Sequence, residues 1–382
     1  MSRSAIVIGA GIVGLATARA LAIRGYKVKV IERTHRAVGA SIRNFGMLWP
    51  IGQPDGALYE RAMLSRRIWK DVCKEAGIWY DKVGSMHVAY NKDEWNVLEE
   101  LAEQYQHRNY LLLKPDETAA GSGAVVKYGL LGSLYSPDEM IVDPREAIAK
   151  IPGWLTEKWG VEFIWGKTVT DVAYPAVYTG QDEWEADEIF ICSGADFETL
   201  YPQLYAIAPL TKCKLQMMRM TAQPANWRIG PALCGSLSLV HYAGFKAAQS
   251  LSVLQRRFTE EYPEYLKWGI HVMVSQNQAG ELTIGDSHEY GETHDPFDKQ
   301  FINQLILDYL QSFARFKNET ISETWNGIYP KLTNGQTELI AEPEPGVTII
   351  NGLGGAGMTL SFGLCEQFIA QKCLQANGTT GY

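Results

Sequence analysis

The 382-residue sequence has no C-x-x-C pair among its six cysteines, no low-complexity tract, no excess of positive charge and, beyond its first twenty residues, no apolar run near the length of a membrane span. Each absence excludes something. Cys73, Cys192, Cys213, Cys234, Cys365 and Cys373 are too scattered for a redox or zinc motif and read as reduced thiols, which points to the cytoplasm. A net charge of -8 argues against nucleic acid or an anionic membrane as partner. It also obliges any anionic ligand to find a local cluster of Lys, Arg or His. Residues 5–18 are uncharged and follow Arg3, as in a signal peptide. Three spaced glycines, Arg19, Arg24 and a following β pattern exclude that reading. No membrane attachment is expected.

What is present is a 46% hydrophobic chain, long enough for two domains. It opens on a recognisable unit. Residues 5–8 form an apolar strand pattern, and Gly9, Gly11 and Gly14 follow in G-x-G-x-x-G spacing. Residues 15–24 read as a helix stopped by Gly25, and 27–31 as a second strand ending on Glu32. This is the dinucleotide-binding strand–turn–helix–strand unit. Gly9 permits the turn, Gly11 lets the backbone approach a pyrophosphate, Gly14 lets helix and strand pack closely, and Glu32 takes ribose hydroxyls.

Further along, residues 39–50 form a loop expected to lie along the cofactor. An amphipathic helix is expected over 55–76, with Leu58, Ala62, Ile68, Trp69, Val72 and Cys73 inward and Gly77 as stop. Asn91 with Glu94 signals a capping box, and Asp143-Pro144 another helix start. Strands are expected over 86–90, 161–164, 168–172 and 189–192, the last running into Ser193-Gly194. From 210 the pattern changes to alternating strands at 214–220, 237–242, 270–275 and 281–284, with helices over 252–266 and 296–316. A second glycine turn, 352–357, follows a strand at 347–350 and opens a last helix. The fold class is therefore α/β (α+β overall). A Rossmann-type cofactor domain of residues 1–82, 141–209 and 325–382 holds an inserted, mainly antiparallel substrate domain of residues 83–140 and 210–324.

These motifs carry a resemblance. Gly9, Gly11 and Gly14 with Glu32, the Ala40-Ser41 to Asn44-Phe45-Gly46-Met47 loop, Ser193-Gly194 and the 352–358 turn resemble the glycine oxidase, sarcosine oxidase and D-amino acid oxidase superfamily. Within it, residues 40–53 and 282–290 are similar to a branch of FAD-dependent oxidoreductases proposed to act in aminophosphonate breakdown. The resemblance implies FAD. Gly9, Gly11, Ile12, Val13 and Gly14 would meet the pyrophosphate, Glu32 and Arg33 the adenosine side, and Val169, on its strand, the adenine. Ser41, Arg43, Asn44, Gly46 and Met47, with Ser193 and Gly194, would run beside the cofactor. Gly354, Gly355, Ala356, Gly357, Met358 and Thr359 would offer N–H groups to the flavin's pyrimidine edge, where reduced flavin carries negative charge.

Three departures shape the expectation. Amino acid oxidases of this superfamily hold the substrate carboxylate with an arginine before the final strand; here that stretch reads Gly327-Ile-Tyr329-Pro330-Lys331. No cysteine stands where sarcosine oxidases attach flavin, so FAD is expected to be non-covalent. No lysine precedes Ile284-Gly285, where those enzymes use one with oxygen, so a dehydrogenase role competes with an oxidase role and the acceptor is oxygen or a carrier. Candidate substrate residues are His241, Tyr242, Tyr329, Lys331, Trp325, His288 and Arg43, with Arg219 as a further cation and Asp286 at the border. His241–Tyr242 reads as a pocket wall or as a structural pair, and Lys331 as an anion anchor or as a turn lysine. His288 and His294 among carboxylates match no zinc spacing, and no metal is expected. No side chain is assigned as a catalytic base, because the flavin carries the chemistry.

The implied activity is oxidation of a small anionic amine, 2-aminoethylphosphonate or its N-methyl form, by hydride transfer to flavin N5 and hydrolysis of the imine. The competing readings are a glycine/sarcosine or D-amino acid oxidase and a flavin-binding redox sensor without turnover.

Overall fold

The computed structural model describes residues 3–378. Ser4–Ile8 is the centre of a six-stranded sheet because nearly every side chain on it is apolar and buried, as a strand covered on both faces requires. It pairs in parallel with Lys27–Glu32 on one side and Glu188–Ile191 on the other. Glu162–Trp165 and Val347–Asn351 extend the parallel set, and Leu339–Glu344 closes one edge antiparallel. The helix Ile12–Ala22 packs against the closing helix Gly357–Gly378. The first and last stretches of the chain therefore share one core.

A second, nine-stranded sheet is antiparallel except where Ala232–Cys234 runs parallel to Ser85–Ala89. Its longest pairing joins Leu210–Met220 to Ile321–Leu332, with Cys213 opposite Tyr329 and Thr211 opposite Lys331. This sheet and the helix Gln300–Phe313 enclose the largest core cluster. The mixed α/β class expected from sequence is what the chain adopts.

Four expected elements differ. The 168–172 strand is a loop followed by the short strand Asp171–Ala173. Gly166, at φ +70°, turns the chain out of the main sheet, and Lys167 N–H donates to Glu32 O at 3.1 Å instead. Residues 237–242 are not a strand, because Ser236–Val240 is a 3-10 turn. Its buried Leu237 and Leu239 fit an alternating pattern equally well, but Ser238 Oγ donates to Gly235 O at 2.6 Å and closes the turn. The 296–316 helix begins only at Gln300. Asp295 accepts from Phe297 N–H at 3.0 Å, and the Lys214 ammonium donates to the carbonyls of Asp295 and Phe297, so the segment stays a turn. The 252–266 helix is broken before Pro263.

The loop at 50–53 forms one wall of the site, and a buried carboxylate pins it. Glu139 accepts from Ile51 N–H at 3.0 Å and from Ser85 Oγ at 2.9 Å. Burial pushes its carboxyl up to about 7. The folded state thus holds this proton more tightly than the unfolded chain. The stabilisation is full below the ordinary carboxyl value and is lost as pH rises from about 4.5 to about 7, roughly 3 kcal/mol in all. Thermal unfolding at pH 5 and pH 8 should show this slope, and Glu139→Gln should flatten it. An unchanged slope in the variant would assign the pH dependence to other groups.

Candidate active site

Two cavities, of about 380 and 470 Å³, lie end to end and share Gly11, Ser41, Arg43, Gly194 and Pro330 in their walls. The smaller is built at the C-terminal ends of the parallel strands, where open α/β sheets bind ligands. Gly9, Glu32, Arg33, Val169, Ser193 and Gly194 line it. Val169 reaches it from the loop rather than from a strand. Gly9 has φ +101°, and a Cβ there would lie 2.5 Å from Cys192 O. Glu32 accepts from Ala10 N–H at 2.9 Å through one oxygen and from Thr34 N–H and Oγ through the other. A carboxylate has about four acceptor positions, so one remains for a hydroxyl in the cavity. Glu32→Ala should weaken FAD retention by at least about tenfold, since a buried donor loses its partner as well as the ligand. Titration of the stripped protein with FAD checks this.

The larger cavity continues past Ile12, Val13, Ser41, Arg43, Asn44 and Met47 to the closing helix, where Gly354, Gly355, Ala356, Gly357, Met358 and Thr359 form a wall. Neither Gly11 nor Leu353, the residues before the two helical turns, supplies a side-chain cap, although Ile12 N–H donates to Ser41 Oγ at 2.9 Å. The other first-turn N–H groups face an anionic cofactor. Three expected contacts are struts instead. Gly46 lines neither cavity; its φ is +72°, and a Cβ would meet Val142 O at 2.0 Å. Gly14 likewise works by packing, with a Cβ 1.9 Å from Gly9 O. Asn44 does border the cavity, but its amide is spent on the loop, donating to Ala40 O and Ser41 O and accepting from Gly46 N–H.

At the far end of the larger cavity stand His241, Tyr242, His271, Asp286, His288, Tyr329 and Lys331. Lys331 brings an ammonium that donates to Tyr290 OH at 2.8 Å, and its backbone bridges Leu353 at the second glycine turn. Burial and neighbouring imidazoles push His241 and His271 well below the ordinary imidazole value, and burial brings His288 to about 4. Burial raises the Asp286 carboxyl. His288 Nδ1 pairs with Gly269 O at 2.8 Å.

Other candidates fall elsewhere. Trp325 lines neither cavity; it lies under the guanidinium groups of Arg145 and Arg219. Arg219 is paired with Glu281 and Thr283. Arg43 lies at the junction of the cavities, with a guanidinium donating to Asn326 O, so it belongs to the cofactor side. His294 faces Lys212 O. The sequence reading missed His271, Trp49, Gln53 and Lys246, all of which line the larger cavity. His271 carries no motif; it enters the site only because its segment lies between two others.

A family model described as FAD dependent oxidoreductase (DAO) matches residues 4–371. The chain belongs to this family. FAD is accordingly its cofactor, and the glycine turns fit it as described above. The mitochondrial L-2-hydroxyglutarate dehydrogenase of Dictyostelium discoideum is 30% identical over 164 residues, which are 40% of this chain and 36% of that protein. The bifunctional protein MnmC of tRNA 5-methylaminomethyl-2-thiouridine biosynthesis from Chromobacterium violaceum is 26% identical over 248 residues, 61% of this chain and 36% of that one. The chain thus spans only about a third of these curated relatives. Among solved structures, glycine oxidase from Bacillus cereus ATCC 14579 superposes with a TM-score of 0.76 at 18% identity, over 97% of this chain and 96% of that one. That likeness establishes the fold. Among the described residues, no helix is long and apolar enough to cross a membrane.

Proposed function

We propose that this FAD-dependent oxidoreductase oxidises a small amine carrying an oxyanion, preferably an aminophosphonate such as 2-aminoethylphosphonate or its N-methyl form. The observation that carries the reading is the end of the larger cavity. Its lining carries the ammonium groups of Lys331 and Lys246 with single-donor phenols and imidazoles beside them, and its one arginine, Arg43, gives its guanidinium to Asn326 O. A guanidinium fork matches the two oxygens of a planar carboxylate. A tetrahedral head group with three oxygens is better met by several convergent single groups around a point charge.

Bound non-covalently, FAD supplies two-electron oxidation of the C–H bond beside a neutral amine; the resulting imine hydrolyses to an aldehyde and an amine or ammonia. The chain's own residues position the substrate. Lys331 holds the oxyanion, Tyr242 and Tyr329 wall the cavity with phenols that burial keeps protonated, and Met217 and Met273 line it with apolar surface. Fixing the head group at one end holds the amine carbon at a set distance from it, which is the gain that orientation gives.

The test is product analysis. Each candidate amine is incubated with the holoenzyme and an acceptor dye, and aldehydes are trapped with a hydrazine reagent. An aldehyde formed from a phosphonate, and not from glycine or sarcosine, is expected. Glyoxylate from glycine, with no turnover of phosphonates, would favour the amino acid oxidase reading instead.

A further inference from the structure

The structure assigns a second role to the wall of the larger cavity: we propose that His241, His271 and His288, with Asp286, bind one first-row transition-metal dication of the zinc class.

The three imidazoles come from separate segments. His241 follows the 3-10 turn Ser236–Val240, His271 precedes the strand Met273–Gln276, and His288 follows the strand Leu282–Gly285. Their ring centroids are 3.8, 4.7 and 5.1 Å apart, and one nitrogen from each lies within 4.8 Å of the others. Packing alone does not explain the group. Both ring nitrogens of His271 and Oδ1 of Asp286 are buried without a hydrogen-bond partner. Asp286 Oδ1 lies 3.3 Å from His271 Nδ1, and Oδ2 lies 3.8 Å from His288 Nε2. Unpaired buried polar atoms are costly, and a dication among them takes one nitrogen of each imidazole and a carboxylate oxygen of Asp286.

The orientation of His288 is that of a ligand. Its Nδ1 pairs with Gly269 O, which fixes the proton on that nitrogen and turns the Nε2 lone pair to the cluster. A ligating histidine commonly gives its other N–H to such a carbonyl. Three imidazoles and a carboxylate suit zinc and its first-row neighbours rather than magnesium or calcium, which take oxygen. Zinc–nitrogen bonds of about 2.0–2.1 Å in a tetrahedron place ligand atoms about 3.3 Å apart, so binding draws the nitrogens, now within 4.8 Å of one another, together while the His241 and His271 rings, 3.8 Å apart at their centroids, swing outward. Lys331 lies beside the cluster with its charge tied to Tyr290. On the function proposed above, an oxygen of the substrate head group adds to the metal's shell and the ion supplies positive charge in a chain of net charge -8. The metal site itself does not depend on that function.

The test uses the full-length holoenzyme, treated with a chelator, desalted and titrated calorimetrically with zinc chloride in the absence of any amine. One equivalent per chain, with a dissociation constant at or below about 1 μM, is expected; His271→Ala combined with His288→Ala should weaken it at least about 100-fold while FAD content and the flavin band stay unchanged. If that variant does not fold, X-ray absorption on the zinc-loaded wild type replaces it, with imidazole scattering at about 2.0–2.1 Å expected. Substoichiometric binding by the wild type, unaltered binding by the variant, or a sulfur-containing or all-oxygen shell would overturn the assignment. Because no amine is present, failure here leaves the substrate reading standing, and failure of the substrate reading leaves this result standing.

Discussion

Gly14→Ala is expected to give a colourless protein that does not take up added FAD. The new Cβ would lie 1.9 Å from Gly9 O and 3.4 Å from Val7 Cγ1. Neither neighbour is free to yield. Gly9 N–H donates to Ile31 O at 2.8 Å, Ala10 N–H is held by Glu32, and Val7 sits in the middle of the central strand. The start of the helix Ile12–Ala22 must therefore move away from the turn, taking with it the N–H groups and dipole end that face the pyrophosphate. Overpacking of this kind costs about 1–3 kcal/mol or more in stability before any ligand term. The ratio of flavin to protein absorbance after purification in excess FAD checks this. Stoichiometric flavin at wild-type affinity would mean that the turn does not grip the cofactor as described.

The second large effect is expected at Lys331. Lys331→Met keeps the length and most of the volume of the side chain and removes the charge. For a phosphonate substrate, kcat/KM should fall about 10- to 100-fold, the range for losing a hydrogen bond to a charged group at a half-buried position. The loss should lie mostly in KM, since the head group is bound alike in ground and transition states. Lys331 also packs beside the second glycine turn, with its Cγ 3.7 Å from where a Cβ on Gly354 would lie. A control is therefore needed. An amine of the same length without an oxyanion should be oxidised equally slowly by both proteins. An equal fall for that amine would place the lysine's effect on the flavin rather than on the substrate.

These two positions differ in how far the sequence alone discloses them. The opening turn is legible because its physics is local: three glycines at fixed spacing, an apolar strand before them, a helix after and Glu32 at the end of the next strand. Chain order suffices to place them. The second turn at 352–357 is legible for the same reason. Lys331 and Tyr329 could be nominated from the missing arginine, but not placed. Their position depends on the pairing of Ile321–Leu332 with Leu210–Met220, a contact across more than a hundred residues. Trp325 shares a strand with Tyr329 and alternation alone puts the two on one face, yet the cavity ends before Trp325 and the indole packs under two arginines.

The histidine cluster is the least legible part. The expected strand 237–242 includes His241, and a period of two over six residues cannot separate a strand from a 3-10 turn in which Ser238 Oγ bonds to a backbone carbonyl. His271 falls within the expected 270–275 strand but carries no motif that marks it for a site. Four side chains from 241, 271, 286 and 288 meet only after the antiparallel sheet has formed, so no sequence spacing records them. The 296–316 helix shows the converse error. Asp295-Pro296 is a sound start signal, overridden by the buried Lys214 ammonium taking the carbonyls that a helix would use.

The most direct test of the account is an anaerobic titration of the yellow holoenzyme, following the flavin band near 450 nm. 2-Aminoethylphosphonate, N-methyl-2-aminoethylphosphonate, glycine and sarcosine are added separately, with dithionite as the positive control. Bleaching by one or both phosphonates, at concentrations far below any effect of glycine or sarcosine, is the expected result. Bleaching by glycine or sarcosine with the phosphonates inert would contradict the account, because the cavity end at Lys331 would then be reading a carboxylate without an arginine.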